Sequence, residues 1–117
     1  MKRLPPCLLL FVACATLAAE PANAPQPVRV DVTLEPGKVH EECARLEAGD
    51  KRGYHWKSNA PVDFNVHYHV GNDVFFPVKR EGMRGDGGTF AAKTAQDYCW
   101  MWTARDKPAR IEGRITK

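Results

Sequence analysis

Apolar and polar side chains alternate strictly along Val28-Arg-Val-Asp-Val-Thr-Leu34, placing Val28, Val30, Val32 and Leu34 on one face. Successive side chains leave a strand on opposite sides, so a period of two predicts a half-buried strand. Pro36-Gly37 ends it as a turn. The alternation is clearest from Val62 to Val70. There Val62, Phe64, Val66, Tyr68 and Val70 face one way, and Asp63, Asn65, His67 and His69 the other. Gly71-Asn-Asp73 reads as a hairpin connection and Val74 to Val78 as the returning strand, with Pro77 marking an edge or a bulge.

The remaining segments are shorter. Val39 to Leu46 carries Cys43 and reads as a strand, although Ala44 to Ala48 fits a helical turn equally well. Arg52 to Lys57 is a strand closed by a Ser58-Asn-Ala-Pro61 turn. Lys79 to Gly88 holds four glycines and five charged residues, a composition expected of an exposed, mobile loop. Thr89 to Lys93, Tyr98 to Thr103 and Ala109 to Thr116 complete the set. Roughly seven or eight short strands with frequent turns predict an all-β, antiparallel β-sandwich of jelly-roll type.

The first residues are of a different kind. Lys2 and Arg3 precede the apolar run Leu8 to Leu17, and Ala22-Asn-Ala24 supplies the small-x-small pattern of a signal-peptidase site. The run is shorter than a membrane-spanning helix requires. Residues 1–24 are therefore expected to be a signal peptide, 25–37 a flexible leader with the first strand, and 38–117 the rest of the domain. Phe11-Val-Ala-Cys14 offers a rival processing site, a lipobox-like sequence in which Cys14 would carry a lipid anchor. Both routes export the chain, to the periplasm or cell envelope.

Export changes the meaning of the cysteines. Cys7 and Cys14 lie in the leader, leaving Cys43 and Cys99 in the domain. An even pair in an oxidising compartment predicts a disulfide. Closing so long a loop restricts the unfolded chain by about 4 kcal/mol in the chain-entropy model. Charge adds little. The net charge is +3, one unit of which comes from Lys2, Arg3 and Glu20, and the domain's acidic and basic residues are interspersed. Without a Lys/Arg block, nucleic acid is not an expected partner.

From Cys43 onward, the order of features resembles the GOLD (Golgi dynamics) domain. The points of similarity are Glu42-Cys43, Tyr54-x-Trp56, Pro61-Val-Asp-Phe-Asn-Val66, Gly88-Thr-Phe90 and Tyr98-Cys99-Trp100-x-Trp102. The resemblance implies a β-sandwich with these two cysteines paired and a general role in protein or lipid recognition. The coiled coil and membrane span that follow this domain in Golgi cargo receptors have no counterpart here, so cargo selection does not carry over.

Few residues point to chemistry. Gly-x-Ser-x-Gly is absent, Ser58 is the sole serine, and the carboxylates are scattered, so no enzyme is expected. His67 and His69, two apart on a strand, share a face and form a candidate Cu or Zn pair, with His40 or His55 as a third ligand. They are equally the polar positions of an amphipathic strand. Tyr98, Trp100 and Trp102 form an exposed ligand-binding strip if Cys99 and Met101 point inward, and core filling if they do not. The reading that results is a non-catalytic exported binding module for a protein, peptide or lipid. A periplasmic metal-binding protein that uses His67 and His69 is the alternative, and otherwise no cofactor is expected.

Overall fold

The computed structural model describes residues 2–3, 12–17 and 26–117. The expected cleavage point after Ala24 lies outside them. The described residues form six strands: β1 Val28–Leu34, β2 Val39–Leu46, β3 Lys51–Val70, β4 Asp73–Ala91, β5 Gln96–Ala104 and β6 Ala109–Ile115. All pairings are antiparallel, and the described residues contain no helix.

The strand count is lower than expected because two predicted breaks are absent. β3 runs for 20 residues, straight through Ser58-Asn-Ala-Pro61. β4 runs for 19, straight through the expected loop at Lys79–Gly88. β4 borders β3 along nearly its whole length. On its other edge, β3 pairs first with β6 over Tyr54–Ser58 and then with β5 over Val62–His67. β1 extends the β6 side and β2 the β5 side. The result is one six-stranded sheet, ordered β1-β6-β3-β5-β2 with β4 alongside β3, curled into a half-barrel. The expected all-β, antiparallel architecture is present, with the described strands joined in one curled sheet.

The curl turns on residues 58–61. Pro61 has no N–H to give to a ladder, and the β3–β4 register shifts between Lys57 and Val62. Side chains and carbonyls satisfy the corner instead. Ala60 N–H donates to Ser58 Oγ at 3.3 Å and Arg110 N–H to Asn59 Oδ1 at 2.9 Å. The Arg84 guanidinium donates to the Asn59 carbonyl at 2.9 Å.

Inside the curl lie Trp56, Val62, Phe64, Val66, Tyr98, Trp100, Trp102 and Ile111, all fully buried. Aromatic rings meet at angles rather than face to face, with Trp56 on Trp102 at 86° and Phe90 on Trp100 at 88°. Ring edges thus lie against π faces, the favoured arrangement for such pairs. The disulfide forms as expected between Cys43 and Cys99. It joins directly opposed residues of the neighbouring strands β2 and β5 and lies outside the core. It therefore ties together two strands of one sheet and does not bridge two sheets.

Close packing of β6 on β3 depends on Gly113. A Cβ there would sit 2.6 Å from the His55 carbonyl oxygen and 2.6 Å from Trp56 Cβ. Gly37, with φ +78° and nothing within 4 Å, is limited by conformation alone. We expect Gly113→Ala to destabilise the fold by about 1–3 kcal/mol through overpacking. Gly37→Ala should cost about 1–2 kcal/mol through its left-handed backbone. Urea unfolding of the two variants checks the order.

Candidate functional site

Alternation along β3 places Asn65, His67 and His69 on the outer face of the sheet, opposite the core residues Phe64 and Val66. Neighbouring strands add Met101 beside Asn65, Cys99 beside His67, and Glu41 beyond Met101. His67 is only 4% exposed. Its Nδ1 lies 2.7 Å from Asn65 Oδ1 and its Nε2 lies 3.1 Å from Glu41 Oε1. A neutral imidazole donates from one nitrogen only, so its tautomer and the Asn65 amide orientation are set together. Burial pushes the His67 pKa below the ordinary value, and the Glu41 carboxylate opposes that shift.

These contacts bear on metal binding. Both His67 nitrogens already have partners, and a metal ion would have to displace Asn65 or Glu41. His69 stays exposed, its ring 5.2 Å from that of His67 and nearly perpendicular to it. Neither expected third ligand is nearby. His40 is on the inner face, 3.0 Å from Glu42 Oε1 and against Trp102. His55 stands opposite Arg114 in the other half of the sheet. Glu41 also lies close to both sulfurs of the disulfide, but these are bonded to each other and offer no thiolate.

The aromatic strip does not reach the surface. Tyr98, Trp100 and Trp102 are each 1% exposed and point into the curl, while Cys99, Met101 and Thr103 take the outer face. The physical reason is position, because β5 lies between β3 and β2 and its larger side chains fill the concave side. The Lys79–Gly88 segment is likewise not a loop. Gly82, at φ +63°, takes up a bulge in the ladder and donates its N–H to Asp63 Oδ1 at 2.9 Å. Arg80 and Asp86 approach to 3.7 Å along the same strand.

What alternation alone did not reveal is the tip of the β3–β4 hairpin. Val70, Val74, Phe75 and Phe76 are between 41% and 48% exposed there. Phe75 turns to the concave side and stacks on Tyr68 at 5.2 Å. Phe76 turns outward, 5.9 Å from the His67 ring and 5.4 Å from the Lys79 ammonium. The signal was present in the sequence, since adjacent phenylalanines in a strand must leave on opposite faces. Between the tip and Thr94, an open groove is lined by Tyr68, Phe75, Phe90 and Tyr98. The Tyr98 hydroxyl there donates to the Thr94 carbonyl at 2.7 Å.

No family model and no curated protein sequence matches the chain. Among solved structures it is similar to the Yersinia pseudotuberculosis-derived mitogen, with 14% identity, 79% of this chain and 86% of that one covered, and a TM-score of 0.52. It is also similar to PliG of Aeromonas hydrophila, a periplasmic inhibitor of g-type lysozyme, at 13% identity and TM-score 0.47, covering 83% and 92%. A de novo designed double-stranded β-helix matches at 18% identity and TM-score 0.45, covering 75% and 97%.

The depressed His67 pKa fixes the sign of a pH effect. The unfolded chain binds this proton more tightly than the folded one, so stability is full above the unfolded value near 6.5 and falls as the pH drops below it. The melting temperature of the wild type should therefore fall between pH 7.5 and pH 5. His67→Gln should flatten that part of the profile, as read by thermal melts across the range.

Proposed function

We propose that the chain is a non-catalytic binding module of the exported compartment, and that it engages a protein partner through the tip of the β3–β4 hairpin. The observation that carries this reading is the exposure of Val70, Val74, Phe75 and Phe76 at one projecting end. Large apolar side chains clustered on a surface mark contact sites, and an aromatic on each face of a hairpin lets the tip insert into a cleft. The Tyr68–Phe75 stack fixes the geometry of the tip before binding, which lowers the ordering cost.

Other features support the same reading. A disulfide on the outer, partly exposed face suits an oxidising compartment. The residue types that commonly act as nucleophiles already have structural tasks. Ser58 caps the β3 corner, and Cys43 and Cys99 are bonded to each other. The GOLD-like order of motifs points toward recognition as well. The mitogen among the structural neighbours shares this fold.

A photo-crosslinking residue placed at position 76 of the exported protein tests the proposal in the native host. We expect a discrete adduct with an envelope protein, lost on Val74→Asp and absent when the crosslinker is moved to Thr33. Adducts of the same pattern from both positions, or an adduct only with lipid, would overturn it.

A further inference from the structure

The outer face of the β1–β6–β3 half carries two cross-strand rows of charge with different fates. In one, Asp31 stands opposite Glu112, and Glu112 opposite Lys57. Arg110 reaches Asp31 at 2.9 Å and Glu112 at 3.1 Å, and Lys57 approaches Glu112 to 3.7 Å. Two carboxylates and two cations neutralise one another. The hydrogen bond from Arg110, with Lys57 beside it, holds the Glu112 carboxyl below its usual range.

The next row is not neutralised. Arg29 stands opposite Arg114, Arg114 opposite His55, and His55 opposite Gly87. All three cationic or basic side chains are exposed. Neither arginine has an ion pair or side-chain hydrogen bond among the described residues. Like charges placed directly across an antiparallel pair repel, so a fold gains nothing from this juxtaposition by itself. Gly87 adds no side chain at the end of the row, and an open groove of ≈ 420 Å³ is lined by Arg29, Arg114 and His55. The groove's acidic members, Asp31 and Glu112, are the ones Arg110 and Lys57 already hold.

We propose that Arg29 and Arg114, flanked by His55, bind a tetrahedral oxyanion, specifically a phosphate group. A single guanidinium fork matches the two oxygens of a carboxylate. Two forks on adjacent strands lining one groove, with an imidazole next in the row, match a group that presents oxygens in three or four directions. The site adjoins Pro27, where the N-terminal segment enters β1, so the group it meets is either free in solution or in a phospholipid headgroup at a membrane surface. It is far along the sheet from the hairpin tip and does not depend on the protein-binding reading.

Two probes separate the sources. Inorganic phosphate is titrated into the purified protein while backbone amide resonances are followed. Vesicles of phosphatidylcholine, alone or mixed with phosphatidylglycerol, are tested by co-sedimentation. Binding should weaken by about tenfold or more in the Arg29→Gln/Arg114→Gln variant, as expected when charge-assisted hydrogen bonds are lost. Lys38→Gln/Lys107→Gln removes the same charge from other exposed positions and should leave binding unchanged. A phosphate response at residues 29, 55 and 114 identifies a soluble ligand. A response to phosphatidylglycerol vesicles alone identifies a membrane. Silence with both probes, or equal loss in the two variants, overturns the proposal.

Discussion

Everything in this domain is arranged around the continuity of β3. Its backbone supplies one edge to β4 and divides the other between β6 and β5, so both halves of the sheet hang from a single strand. A strand twenty residues long cannot stay flat against three partner strands. It turns at Ser58–Pro61, where the ladder gives way to bonds from Ser58, Asn59, Arg84 and Arg110. That turn brings the inner faces of the two halves toward each other and makes a buried interior for Trp56, Phe64 and Trp102. The aromatic core follows from the corner, and the groove and hairpin tip follow from how far β3 and β4 extend past it.

Much of this was legible in the residues. The strict alternation of Val28–Leu34 marks β1 with its observed bounds, and the Gly71-Asn72 turn fixes the hairpin. Local signals misled where long-range pairing overrides them. Ser-Asn-Ala-Pro is turn chemistry, but in β3 it bends a strand without ending it. The glycines of 79–88 favour a loop when read alone, yet a partner strand of matching length holds them extended. Which face of β5 is buried was equally undecidable from alternation. Tyr98, Trp100 and Trp102 on one side face Cys99 and Met101 on the other, and both sets are apolar. Only the direction of the curl decides between them.

The candidate sites follow the same division. Periodicity put His67 and His69 on one face, and they share it. It could not show that Glu41, from a strand some two dozen residues earlier, would occupy the Nε2 position. The pairing of Arg29 with Arg114 is likewise invisible until β1 and β6, from opposite ends of the domain, are laid side by side.

The nesting of the strands has a consequence for how the chain acquires its shape. β1 waits for β6 and β2 waits for β5, with cysteines 56 positions apart. Neither outer ladder can close until the last third of the polypeptide is present. A chain built this way keeps its outer strands unpaired until its last strands are made, and its covalent lock engages late. Once Cys43 and Cys99 have joined, β2 is fastened to β5, its sheet neighbour among the described residues, and cannot peel away to uncover the β5 edge to another molecule.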